Sequence, residues 1–179
     1  MIALFLADGF EECEALAPLD ILRREKIKVI TVGIGQKTVT GSHGIPVVAD
    51  ITDAQLDCSR LEGVILPGGM PGTLNLEKSE TVQAALDCVA EQGGLIAAIC
   101  AAPSVLGHKG LLNGKKATCF PGFEKDLKGA CLSEFPVVTD GNIITAKGAG
   151  VALEFGFALL SYLKTPEESE NLAKQMQFQ

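Results

Sequence analysis

Short apolar runs alternate with helical hydrophobic patterns along nearly the whole chain, and this alternation constrains the fold more than any single motif does. Strands that alternate with helices form βαβ units, whose parallel sheet carries helices on both faces. The runs are almost continuously apolar, which is typical of strands that are covered on both faces. No repeat, linker or low-complexity segment interrupts the pattern, so we expect one doubly wound α/β domain over residues 1–179.

The elements of this domain are predicted from period and from turn signals. Strands are predicted at 2–6, 27–33, 63–67, 95–99, 116–119, 137–139 and 143–147, with a small hairpin formed by 39–40 and 45–48. Helices are predicted at 11–24, from a cap at Ser79 to 91, after Cys100 to about 108–110, and at 152–164 and 166–176. The Asp140-Gly141 pair predicts a tight turn between two of the strands.

Charge and hydropathy exclude several classes of function. The net charge is −7 and the isoelectric point is near 4.8, with no cluster of basic residues, which argues against binding to nucleic acid. No apolar run approaches the ~20 residues that cross a bilayer. The first residues, MIALFL, lack the basic region and cleavage site of a signal peptide, and we interpret them as a core strand. The protein is therefore expected to be soluble and cytoplasmic.

Six cysteines and two histidines are present, and no two cysteines form a C-x-x-C pair. This spacing argues against a zinc site, so no metal and no cofactor are expected. In a reducing cytoplasm the cysteines are expected to be free thiols, most of them acting as small buried hydrophobic residues.

The stretch GLIAAICAAPSVLG at 94–107 places Cys100 at the corner between a predicted strand and a predicted helix. In an open parallel sheet, ligands bind beyond the carboxyl ends of the strands, where this thiol is expected. A nucleophile on such a tight turn needs small neighbours, here Ala98 and Ala102. Amide groups at the helix start favour negative charge, so we expect a lowered thiol pKa and a reactive thiolate. The alternative is a small buried residue at a helix start.

Two further segments are expected at the same edge of the sheet. Strand 63–67 ends in Gly68 and Gly69, whose N–H groups, with that of Ala101, could form an oxyanion hole. The loop after the first strand carries Glu14, and a carboxyl partly removed from water beside a thiolate has a raised pKa and keeps its proton. Such a group can donate to the sulfur or act as a general acid and base. An ordinary glycine turn is the alternative for the Gly68-Gly69 pair.

Other polar residues near these segments are given structural interpretations. Glu11 and Glu12 are expected to complement the dipole of the first helix. Cys13 is interpreted as a buried spacer, with a second redox-active thiol as the alternative. His43 is expected to be a solvated residue in a turn.

Four segments together resemble the ThiJ/PfpI superfamily: ADGFEECE at 7–14, VILPGG at 64–69, LIAAICAAP at 95–103, and TAKGAG at 145–150 followed by Glu154 and Phe155. They span nearly the whole chain in the order of the family. The segment FPGFEKD at 120–126 is most similar to the bacterial YajL-like branch. The resemblance implies a flavodoxin-like three-layer sandwich with a mostly parallel sheet and helices on both faces.

The resemblance also implies roles for individual residues. Cys100 corresponds to the family nucleophile, Glu14 to the carboxyl that hydrogen-bonds it, and Gly69 and Ala101 to the backbone donors of the oxyanion hole. Three further residues are expected to contact the substrate: Gly68, Lys147 and Phe120. The family forms homodimers with the active cysteines near the interface, and it needs no cofactor.

Three departures from the family pattern limit the function. Ala101 follows the cysteine where the proteolytic branch has histidine, so protease and glutamine amidotransferase activities are not expected. Phe120 stands where some members place a histidine, and His108 lies about 12 Å further along its helix. Lys147 replaces an arginine and keeps the charge without the bidentate fork. Without a Cys–His pair, Glu14 is expected to move the proton.

Three functions remain open at this point. The first is a glutathione-independent glyoxalase or deglycase that acts on methylglyoxal-type dicarbonyls or on early adducts of glycated proteins. The second is an oxidative-stress sensor, in which peroxide oxidises Cys100 to a sulfinate. The third is a chaperone or scaffold in which the thiol is incidental.

Overall fold

A seven-stranded sheet forms the centre of the computed structural model, which describes residues 1–178. The strands, including those of two small sheets, are β1 (Ile2–Leu6), β2 (Val29–Gly33), β3 (Thr38–Thr40), β4 (Pro46–Val48), β5 (Ile51–Thr52), β6 (Gly63–Leu66), β7 (Leu95–Ile99), β8 (Lys116–Ala117), β9 (Cys131–Leu132), β10 (Val137–Asp140) and β11 (Ile143–Ala146). The α-helices are α1 (Glu12–Arg24), α2 (Gly72–Lys78), α3 (Glu80–Glu91), α4 (Pro103–His108), α5 (Ala152–Leu163) and α6 (Pro166–Gln175).

The strand order of the large sheet is β10-β11-β7-β6-β1-β2-β5. Every neighbouring pair in it is parallel except β10 and β11, which form an antiparallel hairpin. Gly141 adopts a positive φ of 63° in the turn of this hairpin, as the Asp-Gly pair predicts. Strands β1, β6, β7 and β11 are buried along their whole length, which agrees with their continuous apolar sequences. The prediction of a mostly parallel α/β sheet is confirmed.

Two apolar clusters cover the two faces of this sheet and make the fold three-layered. Helices α1, α5 and α6 pack on one face around side chains such as Phe10 and Phe155. Helices α2, α3 and α4 pack on the other face, against residues that include Phe5 and Leu86. At Gly156 of α5 an added Cβ would lie 3.0 Å from a backbone atom of Pro18, so α1 and α5 pack closely. The predicted flavodoxin-like sandwich is thereby confirmed.

Some predicted elements differ from those observed. The strand expected at 116–119 is only Lys116–Ala117, and it pairs with β9 in a separate sheet. It ends there because the next backbone N–H, that of Thr118, donates to the Thr145 side chain (3.0 Å) instead of to a strand. Helix α2 was not predicted, since it follows a Pro-Gly pair that is typical of a turn. Ser79 caps α3 as expected and accepts from the Val82 N–H at 3.3 Å.

No helix in the described part of the chain has both the length and the apolar character that crossing a bilayer requires.

Candidate active site

Cys100 follows β7 directly, at the carboxyl edge of the sheet, and its backbone is left-handed with φ 66°. A non-glycine residue in this region costs on the order of 1–3 kcal/mol and persists only where its surroundings hold it. Two hydrogen bonds hold it here. Its N–H donates to the Ala146 carbonyl at 2.9 Å, and its carbonyl accepts from the Phe120 N–H at 2.8 Å. The strained corner therefore fixes the direction of the half-buried thiol.

Glu14 lies beside this thiol, in the first turn of α1, and its side chain is almost fully buried. The Glu14 carboxyl and the Cys100 thiol are near enough for each to shift the pKa of the other. The carboxyl accepts from the Gly68 N–H at 2.9 Å, and the Ala149 N–H also lowers its pKa. An added Cβ at Gly68 would lie 2.7 Å from the Glu14 Oε2 and 2.6 Å from the Cys100 Cβ, so the residue that binds the carboxyl also lies against the cysteine.

Burial controls the protonation of this pair. It raises the pKa of Glu14 from 4.5 to about 7. It also raises the pKa of the Cys100 thiol, to about 12, and the neighbouring Glu14 carboxylate adds to that rise. The N–H groups of Ala101 and Gly69 lower the thiol pKa, but they do not outweigh burial. The expectation of a lowered thiol pKa was therefore wrong, because it considered the amides and not the removal of water.

A shared proton follows from these two raised pKa values. Above about pH 7 the pair has lost one proton, and the remaining one can lie on the carboxyl or on the sulfur. The nucleophilic form is the one in which Glu14 holds the proton and Cys100 is a thiolate. Proton transfer from the thiol to the neighbouring carboxylate can therefore activate the sulfur without a histidine.

The two backbone donors expected for an oxyanion hole both lie near this sulfur. The N–H groups of Gly69 and Ala101 are close enough to the Cys100 thiol to lower its pKa. Gly69 has φ 87°, and an added Cβ would lie 2.4 Å from the Glu11 backbone nitrogen and 2.6 Å from the Gly9 oxygen. This position therefore excludes any side chain, which lets the backbone amide approach the site.

Gly68 connects two glutamates through its backbone. Its N–H donates to Glu14, and its carbonyl accepts from the Glu11 N–H at 2.9 Å. The amide is thus used within the protein to hold the carboxyl. A direct contact between Gly68 and substrate stays a prediction.

We expect Gly68→Ala to lower the free energy of unfolding by about 1–3 kcal/mol and to separate the thiol from the carboxyl. An added Cβ would lie 2.6 Å from the Cys100 Cβ, 2.7 Å from the Glu14 Oε2 and 2.9 Å from the Ile99 oxygen. Urea denaturation measures the stability, and the rate of iodoacetamide alkylation at Cys100 reports the contact. Gly150→Ala is the matched control for stability, since nothing lies within 4 Å of its added Cβ. Equal midpoints for the two variants would contradict the expected overpacking.

The two other predicted substrate residues lie at the same edge of the sheet. The Phe120 ring is 47% exposed and lies over Gly148, where an added Cβ would be 3.2 Å from the ring and 3.8 Å from the Glu14 Oε1. Lys147 lines a shallow cavity of about 290 Å³ together with Phe120, and also a cavity of about 430 Å³ that contains Cys119. Phe120 is thus brought next to Glu14, whereas Lys147 lies between the site and a neighbouring cavity.

Neither histidine is a partner of the Cys100–Glu14 pair. The Nδ1 of His108 lies 2.6 Å from the Glu77 Oε1, so it is engaged elsewhere, as expected. His43 has an exposed ring, but its Nδ1 lies 3.0 Å from the Glu12 Oε2 and its N–H donates to the Glu12 Oε1 at 2.9 Å. Its interpretation as a simply solvated turn residue was incomplete.

Glu12 is buried in the first turn of α1, the position expected for a carboxylate that complements the helix dipole, and it has a second role as well. Burial tends to raise its pKa, but hydrogen bonds from the side chain and backbone of His43 and from the Ile45 N–H lower it to about 2. The carboxylate therefore fastens the β3–β4 loop to α1. Within residues 1–178, the candidate metal ligands that cluster are Glu11, Glu12 and His43, within 4.8 Å of one another. Since hydrogen bonds already occupy the Glu12 oxygens, no metal is assigned here.

Cys13 is exposed, so its interpretation as a buried spacer was wrong. Consecutive helical residues point about 100° apart, so Cys13 faces away when Glu14 faces the sheet. Cys13 lines an apolar groove of about 590 Å³, with Leu16, Ile45 and Leu153 among its other lining residues.

Comparisons with known proteins give consistent results. The sequence profile of the DJ-1/PfpI family matches residues 1–162. Protein dj-1beta of Drosophila melanogaster is 37% identical over 174 residues, which cover 96% of this chain and 93% of the relative. A Caenorhabditis elegans relative named glutathione-independent glyoxalase DJR-1.2 is 31% identical over 178 residues, covering 98% and 94%.

Solved structures agree in fold. The oxidized form of Toxoplasma gondii DJ-1 has a TM-score of 0.95 at 32% identity, covering 99% of this chain and 97% of the other. A DJ-1 superfamily protein from Salmonella typhimurium has a TM-score of 0.92 at 35% identity, covering 99% and 98%. The similarity to the YajL-like branch stays a prediction.

Proposed function

We propose, since the chain is a member of the DJ-1/PfpI family, that it is a glutathione-independent glyoxalase with Cys100 as its nucleophile. The observation that carries this proposal is the adjacent Cys100–Glu14 pair, with the backbone N–H groups of Gly69 and Ala101 beside the same sulfur. A relative of 31% identity bears the name of this activity. The proposed substrate is a small dicarbonyl such as methylglyoxal.

The first step forms a bond between sulfur and carbon. Glu14 takes the thiol proton, and the Cys100 thiolate attacks the aldehyde carbon of methylglyoxal to give a hemithioacetal. The oxygen of that aldehyde becomes negative as the bond forms. The N–H groups of Gly69 and Ala101, which lie beside the sulfur, would stabilise this charge. Glu14 then returns its proton to this oxygen, which gives the neutral hemithioacetal and restores the Glu14 carboxylate.

The second step moves a hydrogen between adjacent carbons. Glu14 takes a proton from the carbon bound to sulfur and returns it to the neighbouring carbon, which converts the hemithioacetal into a thioester of lactate. Water then hydrolyses the thioester, releasing lactate and restoring the thiol. The net reaction adds one water to methylglyoxal and uses no cofactor. The same attack on an early adduct of a glycated protein would release the amine or thiol, as a deglycase does.

The proposal includes a homodimer in the cytoplasm. The groove that contains Cys13 is apolar, and two of its lining residues, Ile45 and Leu153, are 52% and 40% exposed. An exposed apolar surface of this kind favours contact with a second copy. All six cysteines are free thiols, the state that a reducing compartment maintains.

The test is lactate formation from methylglyoxal without glutathione. Purified full-length protein should produce lactate at a rate proportional to its concentration, above a protein-free control. A rate equal to that control would overturn the proposal.

The pH dependence of kcat/KM follows from the raised pKa of Glu14. We expect kcat/KM to rise with pH through about 7 and to level off above it, because loss of one proton from the pair produces the reactive state. Initial rates between about pH 5 and 9 measure this profile. A profile that inflects only near the pKa of an ordinary thiol, about 8.5, would contradict the role given to Glu14.

A redox sensor is the second candidate. The observation that favours it is the carboxyl with a raised pKa next to the sulfur, since its proton could donate to a sulfinate. Under limiting peroxide, mass spectrometry should then find Cys100 oxidised faster than the exposed Cys131. Equal rates at the two sites would exclude it.

A further inference from the structure

Cys58 and Cys88 contact each other on the face of the sheet opposite the Cys100 side chain. Cys58 begins a short 3-10 turn, Cys58–Arg60, and Cys88 lies in α3. The Cys88 thiol donates to the Cys58 carbonyl oxygen at 3.1 Å. The Cys88 thiol is also near enough to the Cys58 thiol to raise its pKa, so the two side chains are neighbours.

We propose that Cys58 and Cys88 form a second redox site, which hydrogen peroxide or an organic hydroperoxide converts into an intramolecular disulfide. The site is independent of the proposed glyoxalase reaction. Both residues are partly exposed, so a small oxidant has access to them. They are far apart in sequence and match no redox motif, so only their contact in the fold identifies them.

The surroundings distinguish the two sulfurs. Burial raises the pKa of Cys58, and the neighbouring Cys88 and Asp57 raise it further, so Cys58 ionises less readily than an ordinary thiol. The Gln92 side-chain amide donates to the Cys88 sulfur at 3.3 Å. We therefore assign the reaction with peroxide to Cys88 and the resolving step to Cys58.

The reaction balances with peroxide as the only oxidant. The Cys88 thiolate attacks one peroxide oxygen and breaks the O–O bond, which leaves a sulfenic acid and a hydroxide that takes up the proton lost by the thiol, giving one water. The Cys58 sulfur then attacks the sulfenic sulfur, its proton leaves with the hydroxide, and the S–S bond forms with a second water. Two thiols lose two electrons in total, and one peroxide is reduced to two waters.

The disulfide would close a loop that contains part of the candidate active site. Strand β6, the Gly68-Gly69 pair and helix α2 all lie between residues 58 and 88. Closing this loop restricts the unfolded chain and should stabilise the fold. Oxidation at this second site would then stiffen the segment that supplies the Gly69 amide.

The experiment treats reduced full-length protein with limiting hydrogen peroxide and blocks the remaining thiols with N-ethylmaleimide. Peptide mapping without reductant should find one linked peptide that joins Cys58 to Cys88. The melting temperature should rise by roughly 5–10 °C and return to its starting value after dithiothreitol. Neither readout depends on lactate formation, so its outcome is separate from that of the glyoxalase test.

Single serine variants provide the controls. Cys58→Ser and Cys88→Ser should each lose the linked peptide and the shift in melting temperature. Cys131→Ser should keep both, because Cys131 is an exposed cysteine outside the pair. The proposal is overturned if Cys58 and Cys88 are both still alkylated once peroxide has oxidised Cys100, or if their links are only intermolecular. The peptide map of the unmodified protein tests the proposal even where a serine variant fails to fold.

Discussion

Cys100→Ser should lower lactate formation from methylglyoxal by about three orders of magnitude or more. A serine hydroxyl is a far weaker acid than a thiol, so Glu14 cannot remove its proton. The substitution changes one atom and leaves both backbone hydrogen bonds of the corner in place. Loss of turnover with an unchanged melting temperature would therefore identify the sulfur as the reacting atom.

Cys131→Ser is the matched control for this experiment, because it removes another accessible thiol with the same change of atom. It should retain the full rate. If Cys100→Ser kept more than about a tenth of the rate, Cys100 would not be the nucleophile. If none of the three proteins forms lactate, the redox sensor becomes the favoured function.

Glu14→Gln should lower turnover by about 10²- to 10⁴-fold, the usual contribution of a general acid and base. A glutamine side chain can still accept from the Gly68 N–H but cannot take a proton from the thiol. The rise of kcat/KM through about pH 7 should disappear together with the activity. Lactate formation at full rate in Glu14→Gln would remove this residue from the mechanism.

The same variant should be more stable than the unmodified protein at alkaline pH. Because the pKa of Glu14 is about 7 in the folded chain, against 4.5 for a glutamate in water, the folded state binds the proton more tightly. The free energy of unfolding therefore falls as the pH rises from about 4.5 to 7, by up to about 3 kcal/mol. Glutamine carries no charge, and we expect a gain of about 1–3 kcal/mol at pH 8.

Urea denaturation of both proteins at pH 8 and near pH 4.5 measures this gain. The difference should shrink toward the lower pH, where the unmodified Glu14 is also neutral. Greater stability with lost turnover would show that the loss is chemical and not a failure to fold. A variant less stable at pH 8 would show that the amide disrupts the contacts with Gly68 and Ala149.

Local patterns predicted much of the fold and the position of the site. The apolar runs of β1, β6 and β7 are continuous, and their carboxyl ends meet at one edge of a parallel sheet. This geometry brings the segments that carry Glu14, Gly69 and Cys100 to one place, while the choice of Glu14 among the carboxylates of its loop came from the family resemblance. Helix α2 escaped prediction because its first residues have the composition of a turn.

The remaining errors concern contacts between distant parts of the chain. Cys100 packs against Gly68 and lies beside Glu14 of α1, and its burial reversed the expected direction of its pKa shift. The role of Glu12 depends on His43, which lies on another loop. The contact between Cys58 and Cys88 joins a 3-10 turn to a helix. Hydrophobic periodicity reports neither water removal nor pairs of this kind.

The left-handed backbone of Cys100 has a consequence for protein engineering. Glycine adopts this conformation without steric cost, whereas cysteine does not. Under the proposed mechanism we therefore expect Cys100→Gly to lack turnover, with a relaxed corner and a space beside Glu14 that is enlarged by the missing thiol. Such a scaffold is suited to trapping an intact dicarbonyl or adduct for crystallography, since no sulfur is present to consume it.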